Sequence, residues 1–507
     1  MDIDSIVPLS NLIGICRILF GIIFFCKIFV SYKASALVWA HEVPFSKNRS
    51  QYYLKGLLII LLINIFFLTI GLLTPLAALI TWGLYVFIYK YASLYGLEDV
   101  SFQHMAFYFM LTVPNSSFAL DNVLHIELWD RLGGRQSSLP EIFLAIALGL
   151  VFFTAGFEKL FSPMWRKGLG AYYFYLMPQF RRMNTDFITG SYFLSVSLNW
   201  LALFMELFIL PVFLVNAFPC GLFLWFLGIG FTTSLASIFI LTWIGECLTI
   251  GMILVLWLLL KSGKLGLVSL LLVELNYDLS WLEKTISCLI ILSFFASIFT
   301  VLVRRDSVIV NNLKWFKNFY VYCRYVSRFT WGLLPLKVFT EVHIEGPVVY
   351  RVFLELADGT SKETFKIFHP DCGPGIERPF RPAFFEVTSY KVAEACMELD
   401  KFGSIVSEDR KMFMLNLVRY ILSRSSANER NQVLNVKFLT KQICMPGNFV
   451  GSKALYPSEP WVEAFLIGVN LLESGELDLK ILNTPILKHP TGRNIERHSF
   501  SFNPMDA

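Results

Sequence analysis

Gly56-Leu-Leu-Ile-Ile-Leu-Leu-Ile-Asn-Ile-Phe-Phe-Leu-Thr-Ile-Gly-Leu-Leu-Thr74, then Pro75, then Leu76-Ala-Ala-Leu-Ile-Thr-Trp-Gly-Leu-Tyr-Val-Phe-Ile-Tyr89 runs from Lys55 to Lys90 without a charged residue. A helix that crosses the hydrocarbon core needs about 20 mostly apolar residues, and this stretch supplies two in succession. Read the same way, the chain gives about nine candidate spans, each close to that length. They are 12–30, 56–74, 76–95, 104–116, 141–161, 192–215, 218–242, 246–260 and 285–303. The fourth is short and polar, as a tilted or re-entrant segment would be. The stretch 265–274 is too short to span and reads as interfacial.

Composition agrees with that reading. The 507 residues are 55% hydrophobic and 16% charged, against about 25% charged in soluble domains. Residues 1–303 carry 33 of the charges and the remaining 204 carry 48. The expected fold class is therefore an α-helical polytopic membrane protein followed by a smaller α+β soluble domain. A membrane body over 1–303, a juxtamembrane linker over 304–340 and a soluble domain over 341–507 are the expected units. A wholly cytosolic enzyme, a secreted disulfide scaffold and a disordered chain are excluded. The net charge of +5 is small and no basic run points to nucleic acid. Nine cysteines show no CxxC or CxxH spacing, so no zinc site or disulfide framework is signalled. Arg17 and Lys27 interrupt the first apolar run, which reads as a retained helix rather than a cleaved leader. Loop Lys and Arg residues place the N-terminus outside and the C-terminal domain in the cytoplasm.

In the C-terminal part, Val348 to Glu355 alternates, Asp358-Gly359 is a hairpin turn, and Lys362 to Phe368 returns as a strand. Helices are expected from about Thr388 to Phe402 and behind Ser407, and a strand over Val433 to Leu439. The Pro/Gly stretch 370–382 reads as a loop and the last thirty or so residues as irregular.

Ionisable side chains at membrane depth cost about 2.5–3.5 kcal/mol on insertion scales, so each is a functional candidate. Lys27 and Lys90 sit near span ends, where snorkelling explains them. Arg17 lies inside the first span and reads as an ion pair with another span or as a ligand contact. Glu206 lies well inside its span, where it partners Arg17 or lines a polar cavity. Lys159 ends the run Phe152-Phe-Thr-Ala-Gly-Phe-Glu158-Lys159-Leu160. A desolvated amine is a base near neutral pH; an interfacial Glu/Lys pair is the plainer reading of the same residues. His104 opens the fourth span, Lys159 closes the fifth and Glu246 opens the eighth. An up-down topology puts all three at one membrane face. No Walker loop, HExxH or GxSxG occurs, and the seven His have no metal spacing.

The run Ala155-Gly156-Phe157-Glu158-Lys159-Leu160, with Trp165 and Gly168 after it, resembles the vitamin K-dependent γ-carboxylase-like (HTTM, horizontally transferred transmembrane) family. Arg17-Ile-Leu-Phe-Gly21, Tyr85-Val86-Phe87, Ser101-Phe102-Gln103-His104 and Leu120-Asp121 extend the likeness over roughly residues 10–300. The resemblance implies an enzyme that oxidises reduced vitamin K or menaquinol with O2 to its epoxide. That oxidation drives proton removal from a peptide glutamate, which then takes up CO2. It further implies Lys159 as base and His104 as oxyanion stabiliser, with Arg17 and Trp165 on the cofactor side. The implied partner is a peptide or protein substrate. The apolar spans add the lipid bilayer, and with no eukaryotic sorting signal visible the expected location is a bacterial inner membrane. The chain departs from the family where a second His falls near Thr232, and at Glu158, the first position of the family's Lys pair. The departures keep open a non-catalytic family member that assists maturation or export of a peptide. A transporter rests only on Arg17 and Glu206.

Overall fold

The computed structural model describes residues 9–35, 50–89, 97–111, 118–124, 139–176, 185–215, 244–261, 281–303, 313–331, 348–364, 392, 408–442, 449, 461–472 and 477–483. Its helices are α1 (Leu9–Lys33), α2 (Ser50–Ile70), α3 (Thr74–Tyr89), α4 (Leu97–Leu111), α5 (Leu120–Val123), α6 (Leu139–Phe161), α7 (Pro163–Arg166), α8 (Gly170–Leu176), α9 (Asp186–Thr189), α10 (Tyr192–Val215), α11 (Ile244–Lys261), α12 (Trp281–Leu302), α13 (Lys314–Phe329), α14 (Glu408–Ser423) and α15 (Ala427–Gln432). The strands are β1 (Val348–Leu356), β2 (Ser361–Thr364), β3 (Val433–Gln442), β4 (Val462–Leu471) and β5 (Leu477–Asn483). Among the described residues, four helices are long and apolar enough to cross a membrane: Ser10–Lys33, Tyr53–Ile70, Pro140–Phe161 and Tyr192–Leu210. Shorter apolar helices cover Thr74–Ile88, Gly245–Val255 and Ser287–Val301.

The helices turn their apolar surface outward as well as inward. Ile22, Ile60, Ile63, Phe66, Phe193 and Phe295 are exposed, while Phe20, Phe24, Ile65, Tyr85 and Phe102 are buried. Close packing accounts for the second set, and the exposed first set is compatible with a lipid environment around the helices. Inside it, Phe24 stacks on Phe102 at 4.6 Å and meets Tyr85 edge-on at 4.8 Å.

The break between α2 and α3 follows from three residues. Gly71 takes φ +73, and the Leu72 N–H reaches back to Phe67 O at 2.9 Å, a glycine stop for α2. Thr74 and Pro75 then open α3, where proline's missing N–H costs nothing. The Asp121 carboxylate accepts from the N–H groups of Leu73 (2.6 Å) and Thr74 (3.0 Å), satisfying donors at that helix start.

Several sequence expectations shift. Where a fourth span was expected over 104–116, the described helix is α4 over Leu97–Leu111, which is not among the helices long and apolar enough to cross a membrane; His104 lies two turns inside it rather than at its mouth. The stretch 304–340, expected as a linker, contains α13, which packs on α12 through Phe299 and the rings of Phe316, Phe319 and Tyr320. Lys27 is buried against Asp99 and does not snorkel. The expected span 218–242, the interfacial stretch 265–274, Lys90 and the loop 370–382 lie outside the described residues. So does the expected helix 388–402, Val392 excepted.

The C-terminal part is a five-stranded antiparallel sheet in the order β2-β1-β3-β4-β5. The hairpin turns at Gly359 (φ +82) as expected. Tyr350, Val352 and Leu354 on β1 face the buried side opposite Thr440, Phe438 and Val436 on β3. Met414, Leu417, Val418 and Ile421, spaced as one helical face, join the same buried cluster from α14. Strands β4 and β5 were not expected, and β5 corrects the reading of the last thirty residues as irregular. Gly468 hides β4, because glycine weakens a strand signal. Its bare position is filled by Leu482, whose Cδ1 would lie 3.1 Å from an added Cβ. Phe449 joins the two parts of the chain, meeting Tyr172 at 4.6 Å and Tyr192 at 5.3 Å.

Candidate functional site

Among the described residues, three cations are buried in the helical body, and each has a carboxylate beside it. Arg17 is wholly buried. Its Nη2 donates to Phe118 O at 2.9 Å and its Nη1 to Thr74 Oγ1 at 3.5 Å, while Asp121 acts on it electrostatically. A Cβ at Gly71 would collide with Arg17 Nη1, so glycine there serves the guanidinium as well as the turn. Leu73 (φ 48) and Phe118 (φ 63), the two non-glycine residues with positive φ among those described, both flank this knot. Left-handed backbone costs about 1–2 kcal/mol per such residue, so the polar knot holds two strained positions in place.

The second pair joins Lys27 to Asp99 at 2.8 Å, with Tyr85 Oη donating to the same Asp99 oxygen at 2.6 Å. The Lys27 ammonium also lies 5.3 Å from the Phe102 ring centre.

The third pair is built by the sequence run singled out above. Lys159 Nζ donates to Glu206 Oε1 at 2.5 Å, with side-chain exposures of 7% and 15%. Gly156, one turn before Lys159, lets α6 and α10 touch: an added Cβ would sit 2.8 Å from Glu206 Cβ. Trp165 lies under the ammonium at 4.7 Å. Asn199 of α10 fixes that indole's segment, donating through Nδ2 to Trp165 O at 3.0 Å and accepting from Ala171 N at 3.3 Å. Gly170 packs flat on the Trp165 ring, with no room for a side chain. Glu206 Oε2 is buried and has no hydrogen-bond partner among the described residues.

The structure therefore brings Lys159 and Trp165 together, and adds Glu206, which sequence reasoning paired with Arg17 or with a cavity. Arg17 is instead held by Thr74, Phe118 and Asp121. Nothing in the spacing of residues 159 and 206 signals their meeting. The need for a counter-charge does signal a search, and Asp99 and Asp121 are carboxylates such a search would have found.

His104 does not join Lys159. Leu148 of α6 and Met105 of α4 meet at Gly251, where an added Cβ would be 3.0 Å from Leu148 Cδ1 and 3.6 Å from Met105 Sδ. Lys159 lies about 16 Å further along α6, at 1.5 Å rise per residue. The expectation of one shared membrane face fails because α4 begins at Leu97, which lowers His104 into the body. His104 sits edge-on to Trp331 at 6.3 Å. That indole is packed by Phe107, Phe143 and Phe294 and donates to Ser293 Oγ at 2.9 Å. His104 Nε2 and Tyr108 Oη, one turn apart, are both buried without a hydrogen-bond partner among the described residues.

Among the described residues, no three His, Cys, Asp or Glu side chains group as a metal site would require. Compared with known protein families, with curated proteins and with solved structures, the chain shows no match.

Proposed function

We propose that this chain is an integral membrane protein of about nine spans that resembles the vitamin K-dependent γ-carboxylase-like family. It acts on a reduced naphthoquinone of the vitamin K or menaquinol class, in a bacterial inner membrane. The observation that supports this reading is the Lys159–Glu206–Trp165 assembly, in which Lys159 and Trp165 of the run that carries the resemblance meet Glu206 of α10 in one buried ion pair. Glu206 Oε2, a buried acceptor with no hydrogen-bond partner among the described residues, supports the reading as the atom that would take a quinol hydroxyl. With O2, the quinol supplies the oxidative driving force for removing a glutamate γ-proton, and CO2 completes the carboxylation.

The chain's own residues orient and move one proton. Glu206 Oε2 accepts the quinol hydroxyl, and Lys159 Nζ holds Glu206 through Oε1. The pair exists as ammonium and carboxylate or, with the same proton count, as amine and carboxylic acid. Moving a single proton along the Lys159–Glu206 hydrogen bond interconverts them, and taking up the quinol proton leaves the pair as ammonium and carboxylic acid. Trp165 faces the cationic form and excludes water. In this reading His104, which packs on Trp331 away from Lys159, takes no part at these atoms, and the oxyanion role that the resemblance implies is not carried over to it.

A second reading is a non-catalytic family member that assists maturation or export of a peptide. It is favoured by the carboxylate beside each buried cation, an arrangement that folding alone explains. The deciding assay uses full-length protein in lipid vesicles with a reduced naphthoquinone, O2, labelled CO2 and a glutamate-containing peptide, beside Lys159→Ala. Label and quinone epoxide that both vanish in the variant support the enzyme. Epoxide without label keeps the quinol chemistry and assigns another peptide. Neither product overturns the enzyme reading in favour of the second.

A further inference from the structure

One stripe of α10 carries four contacts in succession. Tyr192, Val196, Asn199, Leu203 and Glu206 follow at alternating spacings of four and three, so they share one face of the helix. Glu206 holds Lys159, and Asn199 holds Trp165 O and Ala171 N. Val196 closes on Gly168, where an added Cβ would lie 3.3 Å from Val196 Cγ1. Tyr192 meets Phe449 of the C-terminal part, about 21 Å from Glu206 at 1.5 Å rise per residue. The segment facing this stripe is a closed turn. Trp165 O accepts from Gly168 N at 3.0 Å, and Leu169 N donates to Met164 O at 3.1 Å. Gly168 takes φ +77, a conformation that favours glycine. Tyr172, next after Ala171, is wholly buried and meets the Phe449 ring at 4.6 Å. The segment Trp165–Tyr172 therefore joins the ring under the Lys159 ammonium to the ring that meets the C-terminal part.

We infer that Trp165–Tyr172 is a clamp held at two points, by Asn199 of α10 and by Phe449 of the C-terminal part, that keeps Trp165 on Lys159 and water off the Lys159–Glu206 pair. Asn199 and Phe449 are positioning residues, acting on the pair through Trp165. Asn199 is wholly buried and commits both ends of its amide to the segment, so its removal takes away two ties at once. Excluding water strengthens the attraction between the ammonium and the carboxylate. Through Phe449, the C-terminal part thereby has a hold on the acid–base pair. The inference rests on the Lys159–Glu206 site of the proposed function and is independent of its substrate.

The test follows amine labelling of the full-length chain in lipid vesicles by a small membrane-permeant reagent, read lysine by lysine by mass spectrometry. Lys27, buried against Asp99 in the same helical body, is the internal reference. The labelling rate of Lys159 should rise about five-fold or more in Asn199→Ala, as the loss of two buried hydrogen bonds permits. It should rise about two- to ten-fold in Phe449→Leu, which removes the ring contacts and keeps an apolar side chain. Lys27 should keep its wild-type rate in both. A variant that exposes both lysines has lost its fold, and the other variant then decides. Unchanged Lys159 labelling in either folded variant overturns the clamp, and so does exposure of both lysines in both variants. The measurement contains no quinol and no peptide substrate, so its failure is distinct from failure of the enzyme reading.

Discussion

Replacing Lys159 by Met leaves the Glu206 carboxylate inside the α6–α10 contact without its cation. Three losses add there: the 2.5 Å charge-assisted hydrogen bond, the stacking of the ammonium on Trp165, and the pairing of a group only 15% exposed. The cation–π contact is worth about 0.5–2 kcal/mol. Stranding one member of a buried pair costs about 3–5 kcal/mol, so the stranded charge dominates. Glu206→Leu alone should cost about as much, since it strands the ammonium instead. The double variant K159M/E206L strands nothing, and well-packed apolar replacements of buried pairs are often neutral or stabilising. Each single variant should therefore lower unfolding stability by ~3 kcal/mol or more, and the double should recover most of it. The assay is reversible unfolding of the purified full chain in mixed micelles, read as a double-mutant cycle. Single variants within about 0.5 kcal/mol of wild type, or losses that simply add, would refute the reasoning.

Other consequences follow from the same contacts. Gly156→Leu forces a side chain against Glu206 Cβ and the Leu207 backbone nitrogen; it should cost about 1–3 kcal/mol in the same unfolding assay, and wild-type stability would show that the helices do not touch there. Phe118→Gly relieves a positive φ at an exposed side chain and should raise stability by up to ~1 kcal/mol; a clear loss in melting temperature would contradict strain at that position. Asp358 is held below the usual carboxylate range by the Thr360 hydroxyl and N–H, which donate at 2.6 and 2.8 Å. A depressed carboxyl stabilises the hairpin at pH values above its ordinary value of 3.8 and loses that contribution as pH falls through the lower folded value. A carboxyl carbon-13 titration of the full chain should give Asp358 a midpoint below 3.8, and a midpoint at or above it would contradict the turn's geometry.

The membrane body was legible because lipid imposes one demand, a long apolar helix, and Tyr192–Val215 is a helix with the bounds the sequence suggested. The α4 boundary was not legible. Leu97-Glu98-Asp99 looks too polar to be buried, yet Asp99 is buried because Lys27 and Tyr85 take up its oxygen. Pairing between helices carries no local sequence signal, and for the same reason Glu206 could not be assigned to Lys159 in advance. Lys159, Trp165 and Gly156 were legible as a group because they lie close in sequence. His104 was misplaced by the error in a single helix start. In the sheet, alternation disclosed β1 and β3, whereas Gly468 masked β4 and left β5 without a visible partner.

The central claim is that Lys159 and Glu206 form the acid–base unit and that His104 stands apart from it. Quinone epoxide formation from a reduced naphthoquinone and O2, measured for wild type, Glu206→Gln and His104→Ala under identical conditions, tests this most directly. The account predicts that Glu206→Gln abolishes epoxide and that the loss in His104→Ala is at least tenfold smaller. Epoxide retained in Glu206→Gln and lost in His104→Ala would contradict it.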